Sequence, residues 1–440
     1  MLRMQSSPFV HLLESNDPPD EGEAALIRGF LDENRERMDE IRAMPHTAPE
    51  LDELERSLEA HIALLSPIRR VPGELLSEIF THLSYKRKVG SRRIDAPPWL
   101  VGNVCRSWRN AALSTSILWR FIKIYEPQSP ALHKIYPLSM IETQLERSGN
   151  ATLEIWIHVR FRGSADHHKA LLHALLQHSP RWSVFHLHLR GSVPVAPALS
   201  GMHNRIPRLR EFVLSLPDMQ SSERHRYLSE APALRKLLIT DKSLREYSLY
   251  IPSVPWHQIT HYRATCTAQQ HFDVLLAAPH LVKCGLGFVW VNAPVEYHTG
   301  RHAVLPRLRR LKLDVVSEPR FLTHVTAGPT LENLTPYVAV PSFLRRSSSG
   351  RFLTQLYLDD YYMSTTAEEV VKVLRETQAL RTLAISCGNP INNEMGEVWS
   401  AMTMEAAANN ICPVLISLVY ACKGEHEAID VSLFPMVQSR

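Results

Sequence analysis

At 440 residues the chain is longer than one ordinary domain, and 45% hydrophobic with 21% charged residues is the balance of a folded, water-soluble protein with room for a sizeable core. A net charge of +4 without a basic tail argues against bulk nucleic-acid binding, so any basic site must be local. The six cysteines form no CxxC and no short framework, which argues against a disulfide scaffold or zinc module and fits a reducing compartment. No run of ~18 apolar residues occurs, and the N-terminus has no continuous apolar stretch. The expected location is therefore cytoplasmic, nuclear or both, with no membrane partner.

Residues 22 to 66 read as two helical segments broken at Pro45 to Pro49. In the second, Leu51, Leu54, Leu58, Ile62 and Leu65 recur three or four apart until Ser66-Pro67 ends the pattern. The first carries Ile27, Leu31, Met38 and Ile41 at looser spacing. An antiparallel hairpin docked on its own chain fits these patterns better than a dimerising coiled coil, because the heptads are too few.

The stretch VPGELLSEIFTHL, Val71 to Leu83, predicts a helix with Pro72 at its start and Glu74 in its first turn. Leu75, Leu76, Ile79, Phe80 and Leu83 make an apolar stripe too wide for a single neighbour to cover. After a basic insert, Lys86 to Arg93, read as a solvated loop or a nuclear-import or acidic-partner site, comes Pro97-Pro98. A second helical patch then spans Trp99 to Ala112, with Leu100, Val104, Cys105, Trp108 and Ala112 on one face. Leu118-Trp119 closes a third short element, and Phe121 to Ile124 reads as a strand.

The order Pro72, Leu75-Leu76, Ile79-Phe80, Leu83, then Val104-Cys105-Arg106-x-Trp108, then Leu118-Trp119, resembles the F-box, a small helical module. The flanking LLSPIRRVPGELLSEIF and VCRSWRNAALSTSILW are most similar to F-box proteins of mushroom-forming fungi. Two departures from the usual pattern are Val71 in place of leucine and the long insert. The resemblance implies docking on a Skp-type adaptor, and through it a cullin and the ubiquitin-transfer machinery. It also implies that Pro72, Leu75, Leu76, Ile79, Phe80, Leu83, Leu100, Val104, Cys105 and Trp108 form the adaptor-binding surface. The alternative is that the same helices pack onto the C-terminal domain.

From about residue 150 a template L-x-x-L-x-L recurs, from Trp182/Phe185/Leu187 through Leu209/Phe212/Leu214, Leu234/Leu237/Ile239 and Ile259/Tyr262/Ala264 to Leu415/Leu418/Tyr420. Most spacings between leading positions are 22 to 27 residues, and the last is 35. Those spacings fit leucine-rich repeats, each supplying a short strand with inward leucines. Helical patches at 167 to 178, 268 to 278 and 367 to 378 precede several of them. Pro336 interrupts one repeat, and Gly287 to Val304 shows no clear helix. The expected fold class is therefore α/β, in three parts: a helical segment over 1–66, a small all-α F-box over 67–125, and a leucine-rich-repeat solenoid over 126–440 that holds a protein substrate.

Bond chemistry finds little support in the chain. His167, His168, His173 and His178 on one helix, and His186 and His188 on the next strand, lack metal-ligand spacing. No HExxH, GxSxG, GxxxxGK[ST] or GxGxxG is present, and Cys105 and Cys284 occupy apolar positions. Neither a cofactor nor a metal is expected, and no enzyme. The leading expectation is a substrate-receptor subunit of a Skp/cullin/F-box ubiquitin ligase, working by proximity. Its alternative is an adaptor-binding interaction protein with no role in ubiquitination. In the repeat register, residues beside the second leucine point away from the core. They are Lys236, His261, Arg263, Lys283, Arg310 and Lys312, a strip suited to an acidic or phosphorylated segment if the repeat at Ile259 takes the first of its two registers.

Overall fold

The computed structural model describes residues 7–42, 48–85, 98–125, 137–160, 165–190, 199–216, 226–241, 254–288, 301–314, 321–335, 340–360, 366–387, 394–403, 410–422 and 433–439. The basic insert and Pro336 lie outside them, as do 289–300. The chain divides into two compact units, Met1–Leu153 and Glu154–Arg440.

The first unit is mainly helical. Helices α1 (Val10–Leu13), α2 (Glu21–Arg42) and α3 (Ala48–Leu64) pack through one apolar cluster that includes Leu12, Ile27, Leu31, Leu54, Leu58 and Leu64. The two long helices thus pack their apolar faces on each other and on α1. His61 is buried in this cluster, with Nδ1 2.6 Å from the Ser57 carbonyl and Nε2 2.7 Å from Ser7 Oγ.

Helix α4 (Gly73–Tyr85) begins where the Pro72 carbonyl accepts the Leu76 amide. The predicted second helix is in fact two pieces, a 3-10 turn at Leu100–Asn103 and helix α5 (Arg106–Ser114). Extended backbone at Cys105 (φ −158°, ψ 175°) breaks them, and the Cys105 sulfur caps α5 by accepting the Trp108 amide at 3.4 Å. A further 3-10 turn, Ser116–Trp119, leads into strand β1 (Phe121–Tyr125). Helix α6 (Leu138–Arg147) belongs with these elements. Gln144 Nε2 donates to the carbonyls of Trp119 and Phe121, and the Arg147 guanidinium lies 4.6 Å from the Trp119 ring centroid. The first unit therefore runs on past residue 125 to Leu153.

The second unit is built on parallel strands. After β2 (Leu153–Arg160) come helix α7 (Ala165–Leu176) and strands β3 (Trp182–Arg190), β4 (Glu211–Leu216), β5 (Lys236–Asp241) and β6 (His261–Cys266). They continue as β7 (Lys283–Phe288), β8 (Ala303–Leu305), β9 (Arg310–Asp314), β10 (Val325–Ala327), β11 (Asn333–Thr335), β12 (Gln355–Asp360), β13 (Thr382–Cys387) and β14 (Ser417–Cys422). The main sheet keeps chain order, β2-β3-β4-β5-β6-β7-β9-β11-β12-β13-β14, while β8 and β10 pair separately. Every neighbouring pair from β3 to β14 is parallel. The protein is thus a mixed α/β chain with a large parallel sheet.

Register follows from the period-2 alternation. Phe185, Phe212, Leu237, Tyr262, Cys284, Leu311, Leu334, Leu356, Leu383 and Leu418 stand side by side across ten strands. All but Leu418 are buried, so one face of the sheet is core and its flanking positions form the other face. Helices cross between strands: α8 (Ala268–Ala277), α9 (Val340–Ser347), α10 (Ala367–Glu376), α11 (Glu394–Met402), and, after the last strand, α12 (Leu433–Gln438). Thr267 and Gln270 form a reciprocal cap on α8, and Thr366 caps α10 by accepting the Glu369 amide.

Candidate functional site

Helix α4 presents two apolar faces with different fates. Leu76 and Phe80 are buried in a local core with Val101, Ala111, Ala112, Leu118 and Trp119, and the Phe80 ring lies 5.0 Å from that of Trp108. These two residues, expected at the adaptor surface, lie in the module's own core. Trp108 is half-buried against the same core, and Cys105 serves as a helix cap. Leu75, Ile79 and Leu83 are 57%, 48% and 40% exposed, at i, i+4 and i+8 along the adjacent row of the helix, about 100° round from Leu76 and Phe80. Leu100 and Val104 are also exposed, as is Pro72. The inner half of the wide stripe thus holds the module together, and its outer half remains on the surface.

The second candidate surface is the outer face of the main sheet. Lys236, His261, Lys283 and Arg310 are direct register partners on β5, β6, β7 and β9. Two positions along, Leu238, Arg263, Gly285 and Lys312 are partners in the same way. All six residues of the expected strip line one open groove of about 620 Å³, together with Tyr357, Ala384 and Val419 from β12, β13 and β14. With strands ~4.8 Å apart, Lys236 and Arg310 lie roughly 14 Å from each other.

The charges are not equivalent. Lys236 Nζ donates to Glu211 Oε1 at 2.6 Å, and His186 Nε2 donates to the same oxygen at 2.8 Å. Burial alone raises the Glu211 pKa, but those two hydrogen bonds and the charges behind them outweigh it and hold the carboxyl below its ordinary value. The pair closes the basic run on the β4 side. His261 is held below its ordinary pKa by burial first, then by Lys283 and Lys236, with Glu211 opposing, so it is a neutral donor or acceptor here. Lys283 and Arg310 are in no ion pair among the described residues. The outer face thus presents Lys283 and Arg310 without a described carboxylate beside them.

Three features escaped the sequence reading. Glu211 occupies the same repeat position as Lys236, so carrying the register one strand earlier would have found it. Trp156, His158, His186 and His188 form an aromatic cluster on β2 and β3, with the His158 and His188 rings stacked 4.1 Å apart. Among the described residues no group of three or more His, Cys, Asp or Glu could hold a metal ion. Last, Tyr262, Cys266 and His271 meet inside the second unit. His271 Nε2 donates to the Gly287 carbonyl (2.8 Å), which leaves Nδ1 to accept from the Tyr262 hydroxyl (3.1 Å) or the Cys266 thiol (3.3 Å). Burial pushes the Cys266 thiol up to about 12 and His271 down to about 4. This cysteine and histidine therefore stay neutral at pH 7, and the network ties β6, β7 and α8 together rather than activating a nucleophile.

No protein-family model matches the chain, and no curated protein matches it. Among the described residues no helix is long and apolar enough to cross a membrane.

Proposed function

We propose that this protein is the target-receptor subunit of a Skp/cullin/F-box-type ubiquitin ligase. In this reading the elements from Pro67 to Tyr125 form the F-box, and the second unit is an irregular leucine-rich-repeat solenoid that holds the target. The observation that carries it is the split of α4: Leu76 and Phe80 already fill the module's own core, yet Leu75, Ile79 and Leu83 form a second apolar row on the surface. Scattered exposed leucines are ordinary, but a row at i, i+4 and i+8 is the pattern by which a helix engages a partner. Burying the exposed half of each of these three side chains supplies about 1 kcal/mol apiece. The parallel, chain-ordered sheet with its second positions in register supports the repeat reading. The receptor acts by proximity: it raises the effective concentration of target lysines near the ubiquitin donor, and its own residues make and break no bonds.

The test is co-purification of the full chain with a Skp-type adaptor and a cullin. Wild type should bring down both, and Ile79→Asp, which puts a charge at the centre of the row, should weaken adaptor binding at least a hundredfold. Wild-type protein that ignores the adaptor, or an Ile79→Asp variant that keeps it, sinks the proposal. Adaptor capture without cullin would leave an interaction protein outside ubiquitin transfer.

A further inference from the structure

Residues 7–17, which include α1, pack on α2 and α3 and are fastened at both ends. At the start, the Ser7 hydroxyl is 2.7 Å from His61 Nε2, and the other ring nitrogen, Nδ1, is 2.6 Å from the Ser57 carbonyl. A carbonyl can only accept, so Nδ1 carries a hydrogen, and in a neutral imidazole Nε2 then accepts from Ser7. The same Ser7 oxygen accepts the Phe9 amide at 3.1 Å. In the middle, Phe9 and Leu12 are buried, and the Phe9 ring meets those of Phe30 and His61 edge-on. At the far end, the carbonyls of Leu12, Ser15 and Asp17 lie 3.1–3.2 Å from Arg69 Nη1, on the 3-10 turn Pro67–Arg70 that leads into α4. The residue after Ser7 is Pro8, and Ser-Pro is the step that proline-directed kinases accept.

We propose that Ser7 is a phosphorylation site for a proline-directed kinase, and that the phosphate releases residues 7–17 from α2, α3 and Arg69. Nothing in this depends on the receptor reading, because it concerns α1 and its contacts alone. In the transfer, the Ser7 oxygen bonds to the γ-phosphorus of ATP and the bond from that phosphorus to the β,γ-bridging oxygen breaks. ADP leaves with the electron pair, and the hydroxyl proton passes to the kinase's catalytic carboxylate. In the docked segment that hydroxyl is held on a histidine only 1% exposed, so the segment must leave its seat before a kinase can reach it. Once modified, it no longer fits the seat. A phosphate carries close to two negative charges and acceptor oxygens in place of the donor, and the surroundings of His61 are the rings of Phe9 and Phe30. Phosphorylation therefore traps an undocked state that the protein already visits. Release withdraws Phe9 and Leu12 from the cluster they share with Ile27, Leu31, Leu54 and Leu58, and so uncovers part of it. It also takes three carbonyls from Arg69 just ahead of α4.

The experiment incubates the full chain with Mg-ATP and a purified mitogen-activated protein kinase. The chain holds other Ser-Pro and Thr-Pro steps, so the modified residue is identified by mass spectrometry. Phosphate should appear at Ser7. In the phosphorylated protein the amides of Leu12, Leu13 and Glu14, which bond to the carbonyls of Phe9 and Val10 when α1 is docked, should exchange with deuterium roughly tenfold faster or more. Kinase treatment of Ser7→Ala should leave exchange at those amides as it was before treatment. Leu12→Ser weakens the docking without altering the acceptor, and it should take phosphate at Ser7 several-fold faster than wild type. No phosphate at Ser7, phosphate at Ser7 with unchanged exchange, or a treated Ser7→Ala protein that quickens as much as wild type overturns the proposal. So does a Leu12→Ser variant labelled no faster than wild type. Adaptor binding enters none of these readouts, so failure here is distinct from failure of the receptor reading.

Discussion

The stem of Arg263 lies across Gly285 on the neighbouring strand: a β-carbon at 285 would sit 3.0 Å from Arg263 Cγ and 3.3 Å from its Cδ. The glycine is there for space, because its backbone is not in the left-handed region. It lets the Arg263 stem lie over β7, whose far neighbour at the same register position is Lys312. Gly285→Val should therefore turn Arg263 aside at modest cost in stability, on the order of 1 kcal/mol, since a flexible side chain can yield. Anion binding in the groove should weaken about as much as in Arg263→Ala. Thermal melting and peptide anisotropy, measured together, check this; a valine variant with full affinity would mean that Arg263 makes no use of the space.

Ionic strength gives a second reading of the same surface. Arg263, Lys283, Arg310 and Lys312 are solvent-facing, so the field of the strip decays over a Debye length of about 10 Å at 0.1 M salt. Affinity of this face for an acidic peptide should fall steadily between 50 and 300 mM salt, roughly tenfold or more over that range. The Lys236 to Glu211 bond, which is shorter and partly sheltered, should survive in this range. An affinity indifferent to salt would place binding on Tyr357, Ala384 and Val419 rather than on the cations.

How much of this was legible in the chain differs from element to element. The ladder from Phe212 to Leu418 could be read from alternation alone, because a strand with one buried face must place apolar residues at every second position. The groove cations followed from the same alternation. The α4 stripe could not be apportioned from sequence: Leu75 and Leu76 are equally apolar neighbours, and only Val101, Leu118 and Trp119, brought in by the fold, decide that Leu76 goes inside. The break at Cys105 was hidden because sulfur is a weak acceptor and is not among the usual capping side chains. Helix α11 went unseen because it is short, although its Val398, Trp399 and Met402 are fully buried.

The two faces of α4 make separable demands. Phe80→Ala removes a fully buried ring from a small core and should cost about 3–5 kcal/mol, unfolding the module around it. Ile79→Asp alters a side chain that is half exposed and should change the melting temperature little. Both should lose the adaptor, but only the first by loss of structure. Circular dichroism beside a binding assay distinguishes them, and an Ile79→Asp variant that unfolds would mean that the outer row is structural too.

Truncation after Phe288 tests whether the sheet is one cooperative unit. It removes β9, which pairs with β7 from Lys283 to Gly287, and so uncovers a row of unpaired backbone groups next to Cys284 and Leu286. A long unprotected edge of this kind favours pairing between molecules. The fragment should aggregate or melt broadly, and a fragment that stays monomeric and melts as sharply as the parent would argue that the strands before β9 fold alone.

Acid stability should report on His271. Burial lowers its pKa to about 4 in the folded protein, against about 6.5 for an unfolded histidine. Between those values the unfolded chain binds a proton that the folded chain refuses, so unfolding gains free energy as pH falls. The stability this residue contributes is therefore complete above pH ~6.5, declines as pH drops towards 4, and levels off below it. By the usual 1.36 kcal/mol per pKa unit, the loss is on the order of 3 kcal/mol. His271→Gln can keep one hydrogen bond to the Gly287 carbonyl, but it has no proton to gain. It should be less stable than wild type at pH 7 and should show a flatter decline between pH 6.5 and 4. The check is urea unfolding of both proteins at half-unit pH steps. Parallel curves would mean that His271 is charged, or solvated, in the folded protein, and that the Tyr262 and Cys266 contacts do not hold it neutral.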